Sequence, residues 1–333
     1  MPGVFLFLVF ICELSIHTVV FGNEVDYLVR QWAPRVWLAP GENFKPSNVE
    51  TFLDNVCVAD ENRKCIFPKL NSDISLSSTE AWSLNTVQPI EALLDNTDSF
   101  LYGKNTIQNS VPTYAVVKHC EPEKLNFHVR YWFFYPYNKG KDVCEIGGIP
   151  NWQIGDTSLC SWKSYGNHVG DWERMTLWFD GNNFPKSAYL AAHKSGAYYI
   201  YNEGTGNFQF DHAEESEGIN QTPEYPPYLH TQDNHPIVFS AKGSHGTWAA
   251  PGEYQYNTVP KLVDKTGYGV PWNTWNNVEI YHLGLDSLPY WIRFRGRWGN
   301  PKKNCLLFGE LEMCEYSDGP EGILRQSQDY NCP

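Results

Sequence analysis

The 333-residue sequence contains few charged residues, only 3 Met, and no excess of basic residues. Charged residues make up 19% of the chain, and 25 Lys and Arg stand against 38 Asp and Glu, so the formal net charge is −13. A general nucleic-acid-binding protein needs a basic surface, and this charge balance argues against a nucleic-acid partner. The aromatic content of 15% argues against a disordered chain.

Long apolar runs are missing after the N-terminus. Residues 4–12 form a compact apolar stretch that Glu13 interrupts, and a small-residue pattern follows. We therefore interpret residues 1–22 as a secretory signal peptide and expect a secreted, extracellular protein. The alternative is a membrane anchor, but a spanning helix needs about 20 apolar residues, and Glu13 would lie in its middle. Residues 23–333 are predicted to form one large domain.

The cysteines lack the C-x-x-C spacing of a zinc or redox site. The chain has nine cysteines, and removal of the signal peptide takes away Cys12 and leaves eight. An even number in an exported chain predicts a disulfide framework. Local spacing favours three pairs, and a fourth would tie the tail to the body: Cys57–Cys65, Cys144–Cys160, Cys305–Cys314 and Cys120–Cys332. Other pairings stay open on sequence alone.

The 26 Gly, 22 Pro and many aromatic residues favour strands and turns over helices. One short helix is predicted near residues 47–55, with Ser47 as its N-cap and Glu50 as the capping-box partner. Strands are predicted over residues 127–135, 172–179, 188–193, 197–201, 236–242 and 290–298. Because no strand–helix alternation is visible, we predict a mainly β fold, an antiparallel β-sandwich with long loops and a few short helices.

Residues 166–179 contain the densest set of candidate metal ligands. Alternate residues of a strand lie on one face, so Asp171 and Glu173 share the core-like face with Met175, Leu177 and Phe179. Two carboxylates there are costly unless an Arg, a shared proton or a cation compensates them. His168 lies just outside the strand, and a His with two carboxylates fits a divalent-cation site. Calcium or magnesium is the first expectation, with manganese or zinc as alternatives.

Two other interpretations of this segment stay open. The carboxylates could belong to a buried salt-bridge cluster that includes Arg130, in a structural extracellular domain that binds no metal. The same cation could instead activate a water molecule in a metal-dependent hydrolase, with Glu173 or His245 as the base.

A second candidate segment covers residues 240–248 and includes Ser244 and His245. His245 is held between two glycines, Gly243 and Gly246, at the end of a predicted strand, where a ligand can approach the backbone closely. The alternative is that His245 is only a turn residue. We therefore include His245 among the predicted metal ligands. A serine-hydrolase function is disfavoured because the G-x-S-x-G motif is absent.

Four segments together resemble the vacuolar protein sorting-associated protein 62 family. They are YLVRQWAPRVWLAPGE at residues 27–42, PSNVE at 46–50, HVGDWE at 168–173 and AKGSH at 241–245. The resemblance implies a domain of that type over the mature chain and does not itself imply an activity.

A more distant resemblance is to the necrosis- and ethylene-inducing-peptide-like cytolysins. Those proteins carry an H-x-x-D-W-E core after an aromatic strand and a later histidine at a strand end. The counterparts here are His168, Asp171, Glu173 and His245. The resemblance implies a divalent-cation pocket at one end of a β-sandwich that binds glycosylated sphingolipid head groups and acts on membranes. Gly170 departs from the pattern, since the cytolysins have a second histidine there.

Several further residues are candidates for ligand contact or modification. Arg293 and Arg295 alternate on a predicted strand and could hold phosphate or anionic sugar groups, or pair with local acidic residues. Aromatic loop residues such as Trp248 could stack on sugars or simply pack on the sandwich. Trp172 and Ser244 are included because they adjoin the predicted ligands. Asn220 begins the one glycosylation sequon.

The sequence thus predicts a secreted, disulfide-stabilised binding protein that is not primarily an enzyme. A divalent cation at His168, Asp171, Glu173 and His245 would bridge to a glycan or glycolipid head group. Contact with a membrane surface, and damage to it, would be a further consequence.

Overall fold

The computed structural model describes residues 23–121, 124–146, 149–150, 161–214, 221–257, 261–308, 311–326 and 332. The predicted signal peptide, Cys160 and Asn220 lie outside these residues, so the predictions for them stand as predictions.

Helices are few and short in the described residues. Helix α1 covers residues 23–31, and the others are α2 (Val49–Leu53), α3 (Ser72–Ser77) and α4 (Ile90–Leu94). Three 3-10 helices cover Phe100–Tyr102, Thr274–Asn276 and Tyr290–Arg293. None of these helices has the length and apolar character needed to cross a membrane.

The N-cap predicted for α2 is one residue too early. The side-chain oxygen of Asn48 accepts a hydrogen bond of 2.9 Å from the backbone N–H of Thr51, so Asn48 is the cap. Ser47 is instead buried and donates its backbone N–H to the carbonyl oxygen of Phe134.

Strands make up most of the regular structure. The first strands are β1 (Arg35–Leu38), β2 (Val56–Ala59), β3 (Cys65–Phe67), β4 (Ser83–Thr86), β5 (Thr113–Glu121), β6 (Asn126–Asn138), β7 (Lys141–Ile146), β8 (Ile149–Pro150), β9 (Ser161–Tyr165) and β10 (His168–Asp180). They are followed by β11 (Ser187–Ala192), β12 (Ser195–Asn202), β13 (Asn207–Glu214), β14 (Tyr228–Leu229), β15 (Thr231–Gln232), β16 (His235–Ser240) and β17 (Thr247–Trp248). The last are β18 (Gly252–Asn257), β19 (Leu262–Thr266), β20 (Pro271–Asn273), β21 (Val278–His282), β22 (Lys303–Phe308) and β23 (Leu311–Tyr316). The mainly β fold is therefore confirmed.

Two sheets share the principal core. The larger has eight strands in the order β14-β13-β12-β11-β10-β6-β5-β21, and the smaller has the order β15-β16-β1-β20, with β17 paired to β16. Side chains from both sheets meet in one apolar cluster, including Val36, Leu38 and Val238 from the smaller sheet and Val129 and Leu177 from the larger. The two sheets therefore pack face to face, as in a sandwich.

The opposite face of the larger sheet carries a second apolar cluster. Trp132 and Trp172 from the sheet pack there with Phe52 of α2 and with Trp291 and Trp298. The larger sheet is thus covered on both faces, which explains why its central strand β6 is buried along nearly its whole length.

Two strand pairings differ from the predicted all-antiparallel arrangement. β1 pairs with β16 in parallel, and β5 pairs with β21 in parallel. Both pairings join strands that are far apart in the sequence, and such separation supplies the long crossover that parallel strands need. Local hairpin signals cannot reveal these contacts.

The strand predicted over residues 290–298 is wrong. Tyr290–Arg293 form a 3-10 helix, in which the neighbouring residues Trp291 and Ile292 are both buried. Two consecutive buried residues do not fit a strand with one solvent-exposed face.

Three predicted disulfides are confirmed: Cys57–Cys65, Cys120–Cys332 and Cys305–Cys314. Cys144 is also disulfide-bonded. Its predicted partner, Cys160, lies outside the described residues.

Candidate functional site

Strand β10 brings Asp171 and Glu173 to the wall of a cavity. Asp171 lies opposite Tyr135 of β6 and Glu173 opposite Phe133, so both share the face of Met175, as the alternation predicts. Strand β11 pairs with β10 only over Met175–Trp178. The first half of β10 is therefore not paired with β11, and a cavity of about 630 Å³ opens beside it.

Asp171 is held in place by the buried His245. The Nδ1 atom of His245 lies 2.8 Å from Oδ2 of Asp171, and Nε2 donates to the carbonyl oxygen of Phe44 at 2.9 Å. The imidazole also stacks on Tyr135, with ring centroids 3.8 Å apart and an interplanar angle of 4°. These contacts fix both the position of the ring and the direction of the Asp171 carboxylate.

His245 therefore offers no uncommitted ring nitrogen to a cation. A direct metal bond would require one of its two hydrogen bonds to break. The side chain is fully buried, and His245 adopts a φ of 59° at the turn that brings it there. In this arrangement His245 orients an acidic residue, which is the usual function of a partner behind a metal ligand.

Glu42 joins this arrangement from a separate loop. Its Oε1 accepts a hydrogen bond from the backbone N–H of Phe44 at 2.7 Å, and its Oε2 accepts one from that of Gly243 at 2.6 Å. Oε2 also lies 3.9 Å from Nε2 of His245. Two carboxylates thus flank the buried imidazole.

Glu173 is in a very different environment. In the part of the chain that the structure describes, no hydrogen bond or ion pair reaches its carboxylate. Burial raises the pKa of Glu173 well above its usual value, and the charges of Asp171 and Asp264 raise it further, against the effect of Arg174. The cavity wall therefore holds an acidic group that no described residue binds through a hydrogen bond or ion pair.

His168 lies on the same cavity with a defined tautomer. Its Nδ1 donates to the carbonyl oxygen of Gly170 at 2.7 Å. Because this nitrogen carries the proton, Nε2 holds a lone pair in the neutral ring. Histidines that bind metals commonly donate their other nitrogen to a carbonyl in this way.

Gly170 explains why a second histidine is absent from the motif. Its φ is 68°, and an added Cβ would lie 2.1 Å from the carbonyl oxygen of Trp298. Any side chain would clash with this backbone and would be strained in the left-handed region. Glycine is therefore required at this position because the backbone of Trp298 packs directly against β10.

Asp264 forms a second acidic centre, which sequence reasoning missed. It is fully buried and accepts hydrogen bonds from Lys141 Nζ at 2.8 Å, Ser244 Oγ at 2.6 Å, His193 Nε2 at 2.9 Å and Trp248 Nε1 at 3.0 Å. His193 and Lys141 hold the pKa of Asp264 well below its usual value despite the burial. A single Asp in a short strand carries no sequence signal for this role.

The predicted ligand-contact residues divide into buried and surface positions. Trp172 and Trp248 are core residues: Trp172 packs among other indoles, and Trp248 stacks on Tyr254 with centroids 4.0 Å apart. Neither presents an open ring face to a sugar. Ser244 lines the cavity, but its hydroxyl donates a hydrogen bond to Asp264.

Arg293 and Arg295 are exposed and lie apart from the residues that line the cavity. Arg295 forms a surface ion pair with Glu80 at 3.1 Å. This contact agrees with the alternative that these arginines pair with local acidic groups. Arg130 lies opposite Thr176 and therefore faces away from Asp171 and Glu173.

The predicted ligands are near one another but are not gathered around one point. Among the described residues, the sets of three candidate ligand atoms within 4.8 Å are Cys120–His128–Cys332 and Cys305–Glu312–Cys314. Each contains a disulfide. The donor atoms of His168, Asp171 and Glu173 would have to move together to share a cation.

Comparisons with known proteins agree with the motifs. The model of the family described as vacuolar protein sorting-associated protein 62 matches residues 11–204. In Saccharomyces cerevisiae, the vacuolar protein sorting-associated protein TDA6 is 24% identical over 95% of this chain and 69% of its own length. The corresponding values for vacuolar protein sorting-associated protein 62 are 23%, 91% and 66%. This chain thus spans about two thirds of those relatives.

Among solved structures, a similarity extends to the Necrosis and Ethylene inducing Protein 2 from the causal agent of cocoa's Witches Broom disease. The identity is 10%, the coverage is 76% of this chain and 72% of that one, and the TM-score is 0.27. A superposition this weak supports no argument about fold or function.

Proposed function

The chain belongs to the vacuolar protein sorting-associated protein 62 family, and on this premise we propose that it is a secreted binding protein whose cavity holds a divalent cation. The cation recruits oxygen atoms of a glycan or glycolipid head group. The part of the chain that matches the family model includes His168, Asp171 and Glu173.

The observation that supports the proposal most directly is the state of Glu173. Its carboxylate faces a cavity with no hydrogen bond or ion pair from the described residues, and the charge of Asp171 on the same strand face repels it. A divalent cation between the two would offset both the repulsion and the cost of desolvation. Arg174 offsets the rise in the pKa of Glu173 only in part, and no described side chain forms a hydrogen bond or ion pair with the Glu173 carboxylate.

The donor set fits a hard cation. Glu173 supplies two carboxylate oxygens, and Asp171 supplies Oδ1, since its Oδ2 is engaged by His245. His168 can add Nε2. Oxygen-rich sets favour calcium or magnesium, and one imidazole leaves manganese or zinc as alternatives. A bound cation would supply an electrostatic contact for hydroxyl or phosphate oxygens of a ligand.

The cavity has the size and composition for a small polar ligand. Its volume of about 630 Å³ lies within the usual range for ligand sites. Lys194 and Tyr256 line the wall beyond the carboxylates, and Tyr256 packs on His193 with ring centroids 3.8 Å apart. A cation, an ammonium group and an aromatic ring together suit a sugar that carries hydroxyl or phosphate groups.

The disulfides support secretion. The described residues contain three disulfides, and Cys144 takes part in another. Such bonds persist in oxidising compartments and are rare in the cytosol.

The experiment is a binding screen with and without a chelator. Purified protein is tested on a glycan array and on vesicles that contain a glycosylated sphingolipid, in EDTA and in added calcium or magnesium. We expect cation-dependent binding that the double substitution Asp171→Asn/Glu173→Gln removes. Glu312→Gln is the matched control, because Glu312 lines the same cavity but pairs with Lys302.

Two outcomes would contradict the proposal. If the protein binds equally well in EDTA and in added cation, no bridging ion is involved. If the folded double variant still binds, Asp171 and Glu173 are not the residues that hold the ion. Cation-dependent cleavage of the glycan, ester or phosphodiester substrates in a parallel panel would favour the hydrolase instead.

A further inference from the structure

A cluster of Asp26, His282 and His119 lies on elements that contribute no side chain to the cavity wall. Asp26 is on helix α1, His282 ends strand β21, and His119 is near the end of strand β5. The Nε2 atom of His282 lies 2.8 Å from Oδ1 of Asp26, and its Nδ1 lies 2.7 Å from Nε2 of His119. The three side chains therefore form one continuous row of hydrogen bonds.

The proton positions in this row follow from Asp26. Its carboxylate is an acceptor, so Nε2 of His282 carries the proton and Nδ1 holds a lone pair. That lone pair accepts the N–H of His119 Nε2. Asp26 thus orients an imidazole so that its other nitrogen points at a second imidazole, which is the support that carboxylates give to metal-binding histidines.

Both rings are largely shielded from solvent. His282 is 8% exposed, and His119 is half-buried. Burial and the neighbouring His282 lower the pKa of His119, while Asp26 and Asp286 oppose this shift and Lys118 adds to it.

We propose that His119 and His282 form a site for a divalent transition-metal ion such as Zn²⁺, with Asp26 as the residue that orients His282. The ion binds Nδ1 of His282 and Nε2 of His119 in place of the proton between them. That proton moves to Nδ1 of His119, so the ligands lose no net proton. The two nitrogens move apart by a few tenths of an ångström, and water completes the coordination.

This site is chemically distinct from the carboxylate cavity. Two imidazoles favour zinc, nickel or copper over calcium or magnesium, whereas oxygen donors favour the reverse. It joins α1 to β5 and β21, and His119 is adjacent to Cys120 of the Cys120–Cys332 disulfide. Metal binding would therefore strengthen the attachment of the N-terminal helix to the large sheet.

The test is a titration of the untagged full chain with Zn²⁺ and Ni²⁺ against a competing chelating dye. The background is Asp171→Asn/Glu173→Gln, so that the cavity cannot contribute. We expect one site, with affinity at least about tenfold lower in His119→Gln and in His282→Gln, and about tenfold lower in Asp26→Asn. His230→Gln is the control, because that ring faces Asn207 rather than another histidine.

Nitrogen-15 NMR of the imidazoles in the unsubstituted protein gives a second measurement that does not depend on folding of the variants. We expect zinc to shift Nδ1 of His282 and Nε2 of His119 and to move the His119 proton to Nδ1. The proposal is overturned if both histidine variants bind zinc as tightly as their background, or if the imidazole spectrum is unchanged at saturating zinc. Neither result depends on the cavity, so the proposed glycan-binding function is tested separately.

Discussion

Two acidic residues near the same cavity have opposite environments. Asp264 accepts four hydrogen bonds from side chains on three segments of the chain, and despite its burial His193 and Lys141 lower its pKa. Glu173 receives none from the described residues, and burial raises its pKa. The contrast shows that burial alone does not decide what a carboxylate does. The number of donors aimed at it decides whether it stabilises the fold or is available to a ligand.

Asp171 lies between these extremes. Among the described residues it has one side-chain hydrogen-bond partner, His245, which engages Oδ2 and leaves Oδ1 for another contact. From the described residues, Asp264, Asp171 and Glu173 thus receive four, one and no side-chain hydrogen bonds. This gradient is what we expect where a rigid support holds a binding group that is costly to the fold.

The largest effect is expected from removing the satisfied carboxylate. Asp264→Ala leaves the ammonium of Lys141 without its partner and deprives Ser244 and Trp248 of their acceptor, and breaking a buried ion pair costs about 3–5 kcal/mol. Urea unfolding followed by tryptophan fluorescence measures the loss. Glu253→Gln is the control, since its exposed pair with Lys265 at 2.9 Å is worth less than about 1 kcal/mol. Equal losses of unfolding free energy in Asp264→Ala and Glu253→Gln would contradict a special structural role for Asp264.

A smaller loss is expected from His245→Gln. The substitution removes the stacking on Tyr135 and the hydrogen bond to Asp171, and we expect a decrease of about 2–3 kcal/mol in the free energy of unfolding. Cation affinity should also fall, because Asp171 loses its fixed direction. Unchanged cation affinity in a folded variant would show that His245 has only a structural role.

Stability as a function of pH should separate the two carboxylates. The folded pKa of Glu173 lies above its usual value of 4.5, so from that pH upward the folded state holds a proton that the unfolded chain has released, and stability decreases as pH rises. The pKa of Asp264 is lowered from 3.8, so its contribution is present above that pH and is lost as pH falls. Denaturant unfolding from pH 3 to 8 measures both slopes.

Substitution then assigns each slope to its residue. Glu173→Gln should remove the decrease toward neutral pH and should raise the free energy of unfolding at pH 7, because the variant has no carboxyl proton to release. Asp264→Asn should remove the loss in acid. If Glu173→Gln keeps the wild-type dependence of stability on pH, another residue carries the raised pKa.

The positions of Asp171 and Glu173 in the sheet were predictable from the sequence. Strand alternation alone placed Asp171 and Glu173 on the core face, because periodicity reports which side of a sheet a residue occupies. The aromatic strand β6 and the hairpin of β11 and β12 were predictable for the same reason. Local spacing also identified the Cys57–Cys65 and Cys305–Cys314 disulfides.

The partners of these residues could not be predicted. His245 lies 74 positions from Asp171, and Asp264 lies 123 positions from Lys141, so each contact depends on how distant segments pack. For the same reason Trp248, expected in a ligand-binding loop, is a core residue that donates to Asp264.

The most direct test of the central claim is a calcium and magnesium titration of thermal stability in wild-type protein and in Glu173→Gln. A cation that binds the folded state raises its stability according to its affinity. Our account predicts a midpoint that rises by several degrees with cation in the wild type and stays constant in the variant, with the larger rise at pH 8 than at pH 5. An equal rise in both proteins, or none in either, would contradict it.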